Sequence, residues 1–375
     1  MKSELYYLYV EDWEDGILYE YEELVRAEKD IAAAVIRPGT AVISAHAFSG
    51  CANLTEVVFP EGLTDIENNA FENCAKLQKL TFPDSLLRIG DSAFKGCTQL
   101  AAAVLPDSMA KLGHWAFENC TNLSSARLPE MLAEMGCNAF RDCPLRDVPW
   151  KENGITYWRG TVTGADSGIT EAAIRGGVQE IAARAFWRCQ NLSSVVFPDS
   201  LLSIGKNAFA GCRSLTSIGL SDTVAEIGVN AFRDCPLQNV SWKENGIMYW
   251  GDKVIGADSD IQTAVIREGV KEIADSAFER CNCQSVIFPD SLIRIGDNAF
   301  CHCSELTSVA WPHNLVSIGK EAFVQCRLHS ASLPDSLVSI GDYAFADNYS
   351  LGDVKLPAGL QHLGERVFDK YYCDF

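Results

Sequence analysis

The pair Ala-Phe recurs along almost the whole chain at a nearly constant spacing. It ends at Phe48, Phe71, Phe94, Phe117, Phe140, Phe186, Phe209, Phe232, Phe278, Phe300, Phe323 and Phe345, and Val367-Phe368 closes the series. Successive phenylalanines are 22 or 23 residues apart, or 46 at two places. A fixed period of this length is typical of a solenoid, in which each coil packs only on its neighbours. We therefore predict one repeat solenoid over residues 1–375 and not several globular domains.

A single repeat unit, CAKLQKLTFPDSLLRIGDSAF at 74–94, indicates how one coil folds. Leu77, Leu80 and Phe82 have the LxxLxL spacing of a short strand with one face on the core. The residues Pro83-Asp84-Ser85 are typical of a turn, and LLRIG then returns along the opposite wall. Gly90 allows either a close backbone approach or a positive φ at a coil corner.

The repeat LxxLxLPxxLxxIGxxAFxxC is almost intact in LSSVVFPDSLLSIGKNAFAGC at 192–212. It resembles the BspA-like (Treponema pallidum-type) leucine-rich repeat, and the resemblance covers residues 31–375. It implies a mainly β, right-handed superhelix with about 22–23 residues per coil and a parallel sheet on the concave side. The family is associated with surface adhesion and protein binding and not with one reaction.

Two stretches interrupt the pattern, ENGITYWRGTVTGADSG at 152–168 and ENGIMYWGDKVIGADSD at 244–260. Each keeps the repeat in phase, so it replaces the return wall of one coil. We therefore expect each 46-residue step to contribute two strands to the concave, front sheet, one before and one after the interrupting stretch. Alternating residues around a short turn predict a β-hairpin. GILYEYEELVRAEKDIAAAVIR at 16–37 aligns with the second stretch. We expect hairpin-type coils at 151–168 and 243–260, and a hairpin cap at 1–30.

The alternation within these hairpins suggests a binding site. Tyr157 and Tyr249 fall on the face that packs inward, whereas Trp158 and Trp250 share the outer face with Thr156, Met248 and Leu18. Glu20 stands where the tryptophans stand in the first copy, so this position tolerates water. We hypothesise that Trp158 and Trp250, with Tyr157 and Tyr249 beside them, form a contact site. The alternative is that each indole lies flat on a neighbouring coil.

Eleven of the fifteen cysteines lie three residues after a repeat phenylalanine: Cys51, Cys74, Cys97, Cys120, Cys143, Cys189, Cys212, Cys235, Cys281, Cys303 and Cys326. Adjacent rungs lie within disulfide range, but stacked side chains point in parallel. We expect a buried, reduced ladder and hence a reducing compartment. Zinc between Cys281, Cys283, Cys301, His302 and Cys303 is the alternative. We expect no metal, since three of these five occupy core positions.

We find no pattern that supports catalysis or a cofactor. The six histidines lie in different phases of the repeat, and the recurring Pro-Asp-Ser is in turn phase. No Gly-rich phosphate loop, HExxH or paired CxxC occurs. We therefore expect no enzyme activity and no cofactor.

Charge and hydropathy exclude other classes of partner. A formal net charge of −19 argues against nucleic acid and anionic membrane surfaces. No apolar stretch is long enough to span a bilayer, and MKSELYYLYVEDWEDG lacks the features of a signal peptide. We expect a cytoplasmic protein, with the cell surface as the alternative that the resemblance implies.

The outward positions of the predicted strands are small or mildly polar. They include Glu56, Val58, Lys79, Thr81, Ala102, Val104, Ser125, Arg127, Ser194, Val196, Ser217, Gly219, Ser308, Ala310, Ser330 and Ser332. Such a face lacks the enrichment in Trp, Tyr and Arg of an interaction hot spot, so a partner would have to approach closely, strand to strand, or bind elsewhere. The sequence favours a non-enzymatic, protein-binding scaffold, with a surface adhesin as the alternative.

Overall fold

The structure is a computed structural model, and it describes residues 12–146, 148–220, 223–237, 240–352 and 354–370. The chain forms two compact units, Met1–Ile169 and Thr170–Phe375, which are considered separately. Each unit is a mainly β solenoid, and none of the described residues is helical. The expected solenoid of parallel stacked strands is confirmed.

Most regular coils contribute a three-residue front strand and a two-residue back strand, and a few contribute the back strand alone. In the first unit the front strands are Ala33–Val35, Glu56–Val58, Ala102–Val104 and Ser125–Arg127, and the back strands are Val42–Ile43, Asp65–Ile66, Arg88–Ile89, Lys111–Leu112 and Glu134–Met135. Back strands pair in parallel one repeat apart, as Arg88 does with Asp65 and Lys111. The return wall is therefore itself a β-sheet, which the sequence did not predict.

The second unit repeats this arrangement. Its front strands are Glu171–Ala173, Ser194–Val196, Ser217–Gly219, Thr263–Val265, Ser285–Ile287 and Ser308–Ala310. Its back strands are Glu180–Ile181, Ser203–Ile204, Glu226–Ile227, Glu272–Ile273, Arg294–Ile295, Ser317–Ile318, Ser339–Ile340 and His362–Leu363. Both sets pair in parallel between consecutive coils.

The three irregular segments are antiparallel three-stranded meanders. Their strands are Asp12–Glu14, Ile17–Glu20 and Glu23–Ala27; Lys151–Glu152, Ile155–Trp158 and Thr161–Ala165; and Lys243–Glu244, Ile247–Trp250 and Lys253–Ala257. The last strand of the first meander pairs in parallel with Val42–Ile43, and that of the third with Glu272–Ile273. Each segment thus contains an antiparallel hairpin with an extra strand before it, and residues 1–11 of the expected cap lie outside the described residues.

The repeat phenylalanines form the spine of each core. In the first unit their rings stack from Phe48 to Phe140 with centroids 4.8 to 5.3 Å apart. That distance is close to the spacing between adjacent strands. Each ring therefore stacks on the equivalent ring of the next coil.

The glycine that directly follows a back strand allows two coils to approach closely. Gly90 does not have a positive φ. A Cβ built on it would lie 2.6 Å from Asn68, and one on Gly113 would lie 2.4 Å from the Gly90 carbonyl carbon. Of the two roles that the sequence left open, the structure selects the close approach between coils.

One expectation about the irregular coils is wrong. Residues before the second hairpin were expected to add a front strand, yet 144–146 and 148–150 form none. Pro144 and Pro149 lie in this segment, and proline has no N–H to donate to a ladder. Each described front sheet therefore covers only regular coils.

Candidate binding surfaces

The tyrosines of the hairpins are core residues. Tyr157 and Tyr249 are 2% and 1% exposed, so they cannot touch a partner directly. Tyr249 lies 4.1 Å from the guanidinium of Arg267, and its counterpart Tyr19 has the same distance to Arg37. Burial raises the pKa of Tyr249. Their burial gives no support to a role for these tyrosines in a contact site. They pack beneath the hairpin as core residues.

Trp158 and Trp250 are half-buried and not prominent on the surface. The indole of Trp158 packs against the core of the first unit, and its buried Nε1 has no hydrogen-bond partner among the residues that the structure describes. Trp250 Nε1 donates to the carbonyl of Ala225 in the preceding coil at 3.3 Å. Both arrangements correspond to the alternative in which the indole lies against a neighbouring coil.

A β-bulge explains why the hairpin alternation is only partly correct. Met248 pairs with Gly256 and Tyr249 with Val254, so the partner strand holds one extra residue. The residues before the bulge are buried on both faces of the strand. Leu18, Thr156 and Met248 were expected on the outer face but are 7%, 3% and 0% exposed.

Each interior hairpin holds a buried lysine that the sequence did not single out. Lys151 Nζ donates to the carbonyls of Phe140 and Cys143, both at 3.0 Å, and to Asp166 at 2.8 Å. Lys243 Nζ donates to the Cys235 carbonyl at 2.6 Å and pairs with Asp258 at 2.8 Å. In the sequence, only the repeated WKENG indicated this arrangement. The lysine binds carbonyl groups of the last regular coil before the hairpin, and each run of regular coils that ends in this way is called a regular block.

Two further aromatic residues end the phenylalanine stacks. Trp150 lies 4.8 Å from Phe140, and Trp242 lies 5.0 Å from Phe232, both tilted by 45°. A tilted ring cannot continue a parallel stack. These tryptophans therefore mark where a regular block stops.

The cysteine ladder is buried and its thiols act as donors. The Sγ atom of each of eight in-phase cysteines lies 3.0 to 3.3 Å from the carbonyl of the phenylalanine one coil earlier: Cys74, Cys97, Cys120, Cys143, Cys212, Cys235, Cys303 and Cys326. An S–H group is needed for this bond. Asn348 takes the same position after Phe345, and its Nδ2 donates to the Phe323 carbonyl at 2.7 Å. The ladder is therefore a set of inter-coil hydrogen bonds.

Thiol reactivity should separate one cysteine from the ladder. All described cysteines are buried except Cys137, and burial raises the pKa of Cys74 to about 12 and that of Cys301 to about 11. The thiolate is the reactive form. In a Cys373→Ser background we expect one fast-reacting thiol per chain with Ellman's reagent at pH 8, and none after Cys137→Ser. Several fast thiols before denaturation would contradict a closed ladder.

The residues considered for metal binding or catalysis occupy structural positions in the described part of the chain. No group of three or more His, Cys, Asp or Glu residues within it is placed to hold a metal ion, and Cys281, Cys283 and Cys303 are core residues. The Pro-Asp-Ser turns have a structural role, since Ser85 Oγ donates to the Leu63 carbonyl one coil earlier at 2.8 Å. Among these residues no helix is long and apolar enough to cross a membrane.

The front strands present an accessible face in the regular coils. Their middle residues point inward and their outer residues outward, as the sequence predicted. Exposed aliphatic residues recur at the third strand position: Val35 (72%), Val58 (47%), Val104 (56%), Val196 (65%), Val265 (55%) and Ile287 (48%). Small or hydroxyl residues such as Ala102, Ser125 and Ser194 accompany them, so a main chain can approach the sheet closely.

This stacked-coil architecture, with its inward leucines and its phenylalanine spine, defines a leucine-rich-repeat solenoid. The chain belongs to the BspA type leucine-rich repeat family, whose model matches residues 30–157, 179–292 and 271–374 in six copies. No curated protein matches the chain.

Solved structures of bacterial repeat proteins are similar to it. A leucine rich cell surface protein from Faecalibacterium prausnitzii A2-165 is 21% identical, with 94% of each chain covered and a TM-score of 0.45. A leucine-rich repeat protein from Eubacterium ventriosum is 20% identical over 80% of this chain and 84% of that chain, with a TM-score of 0.49. The Treponema pallidum leucine rich repeat protein is 22% identical over 58% of this chain and 83% of its own, with a TM-score of 0.25. At these identities the likeness concerns the fold alone.

Proposed function

We propose that the protein is a non-enzymatic scaffold that binds a protein partner through its front strands. The observation that supports this most is the recurrence of exposed β-branched residues at one strand position, flanked by small side chains. Such a row offers apolar area that a partner can cover. Binding to an accessible sheet face is a common use of repeat arrays.

The test compares two matched pairs of substitutions. Val35→Glu with Val196→Glu places charges on the front face of both units. Leu87→Glu with Leu202→Glu places the same charges on residues outside that face, which are 47% and 48% exposed. The partner is first captured from a lysate and identified, and its dissociation constant is then measured by calorimetry with each variant.

We expect the front-face variant to weaken binding at least tenfold, which corresponds to about 1.4 kcal/mol, while the off-face variant binds as the wild type does. Equal binding by both variants would contradict a front-face site. Trp158→Ala with Trp250→Ala serves as a third arm, and loss of the partner in that variant alone would move the site to the hairpins.

We also propose that the protein works in a reducing compartment, with the cytoplasm as the first candidate. The support is the ladder of S–H donors, since oxidation would remove the donor from each carbonyl that it now satisfies. The cell surface is the other candidate, in keeping with the association of the family with adhesion. Thiol counting in protein isolated under alkylating conditions distinguishes them, because paired cysteines would favour export.

A further inference from the structure

The front sheet of the first unit is interrupted between its second and third strands. Glu56–Val58 pairs with Ala33–Val35, and Ala102–Val104 pairs with Ser125–Arg127. Between these two pairs, the described main-chain links at the front are a single bridge from Glu56 to Lys79 and two hydrogen bonds of 3.3 Å, from Gln78 N–H to Thr55 O and from Ala101 N–H to Gln78 O. A groove of about 920 Å³ lies there. Its rim residues, which define the front groove, are Lys79, Thr81, Asp84, Ala102, Val104 and Asp107.

Bulky side chains open this groove. In two other coils, the residue that follows the front strand donates its N–H to the next coil. Ile36 donates to Val58 O at 3.0 Å, and Leu105 donates to Arg127 O at 3.1 Å. The equivalent bond from Phe82 to Val104 O is absent in the described structure. Leu80 and Phe82 point inward beside Ala103 and Leu105 of the next coil, so large side chains lie against smaller ones and the two coils do not close.

The opening leaves strand-like main chain without its ladder partner. Neither Phe82 N–H nor Val104 C=O has a hydrogen-bond partner among the described residues. Unpaired main-chain groups beside a strand are a template for an added extended segment. The small Ala102 beside them allows another backbone to approach. A polypeptide is therefore the ligand that the front groove fits.

The charges at the two ends of the groove define the segment further. Arg127 already pairs with Asp107 at 2.8 Å. Lys79 and Asp84 make no ion pair in the part of the chain that the structure describes. Four residues lie between them, so five extended steps of about 3.3 Å span about 16 Å. A segment of about six residues can therefore place an acidic side chain at Lys79 and a basic one at Asp84.

We propose that the front groove binds an extended segment of a partner protein, with an acidic residue at one end, a basic residue at the other and aliphatic residues over Val104. This proposal rests on the proposed scaffold function and assigns it a site and a ligand pattern. A segment bound in this way gains main-chain hydrogen bonds from the groove and charge pairing at both ends.

A displayed library of random hexapeptides, selected on the full chain, tests the proposal. The selected peptides are expected to carry one acidic and one basic residue at opposite ends. Two variants then locate the site. Leu80→Ala with Phe82→Leu gives this coil the side chains of the next coil and should close the groove. Lys79→Glu with Asp84→Lys changes only exposed residues and should invert the charge order that is selected.

We expect the groove-closing variant to bind the selected peptides at least tenfold more weakly, with the circular dichroism spectrum retained. We expect the charge-reversed variant to select peptides with the opposite charge order, so a folding defect in the first variant leaves a second test. Selection of no peptide, or equal binding by all variants, would overturn the proposal. The scaffold function is judged separately, because it fails only if the captured partner is insensitive to the front-face glutamates.

Discussion

Replacing Gly113 with alanine is expected to destabilise the first unit by about 3 kcal/mol, the upper range for overpacking a closed interior. A Cβ on Gly113 would lie 2.4 Å from the Gly90 carbonyl carbon and 2.5 Å from the Asp91 nitrogen. These are backbone atoms of the stacked coil, so no side chain can rotate away. The coil has to tilt, and tilting separates the rings that stack at 5.2 Å between Phe94 and Phe117.

The matched control is Gly168→Ala in the same unit. A Cβ at Gly168 meets nothing within 4 Å, and its φ is not positive. The substitution removes backbone entropy from the unfolded chain and should be neutral or slightly stabilising. Urea denaturation gives the free energies, and hydrogen exchange locates the damage to coils around residues 90–136. Similar stability of the two variants would show that the coils are not in closed contact.

Repetition explains why the fold was predictable and parts of the surface were not. The Phe spine, the cysteine ladder and the inward leucines each recur in phase, so one unit specifies all the others. The bulge after Met248 depends on a two-against-one pairing that occurs only within a hairpin. Simple alternation could not reveal it, and the outer face of the hairpin was therefore assigned wrongly at that residue.

The front groove was missed for a related reason. Leu80 and Phe82 fit the repeat pattern, so nothing in their own coil marks them. The groove arises because Ala103 and Leu105 in the next coil are smaller. A difference between neighbouring coils becomes visible only when their side chains are compared across the stack, and the same holds for Lys151, whose partners belong to two separate segments.

Replacing Lys243 with methionine is expected to cost about 3–5 kcal/mol at neutral pH, the usual effect of breaking a buried ion pair. The lysine side chain is 8% exposed and Asp258 is 19% exposed. Methionine keeps the volume but removes the charge, so the Cys235 carbonyl and the Asp258 carboxylate lose their shared donor. Lys253→Met is the control in the same hairpin, because Lys253 is 50% exposed where it pairs with Glu272, and such surface pairs contribute under about 1 kcal/mol.

The loss caused by Lys243→Met should also depend on pH with a defined sign. Burial already raises the pKa of Asp258, and Lys243 acts against that rise; without the lysine the pKa rises further. A carboxyl whose folded pKa lies above its unfolded value binds its proton more tightly when folded. Below the unfolded pKa, the Asp258 carboxyl is protonated in both states and does not reduce the free energy of unfolding. As pH rises through the folded pKa, burying the ionised carboxylate lowers the free energy of unfolding. The stability difference from wild type should therefore be greatest at neutral pH and shrink on acidification.

Adding Asp258→Asn to the methionine variant removes the group that titrates. The double variant should recover part of the lost free energy at pH 7 and should lose the pH dependence, as measured by urea denaturation between pH 4 and 7.5. An amide can still accept the N–H of Asp234, which now donates to the carboxylate at 2.8 Å. If the methionine variant were equally destabilised at every pH, the cost would come from lost packing and carbonyl bonds and not from the buried charge of Asp258.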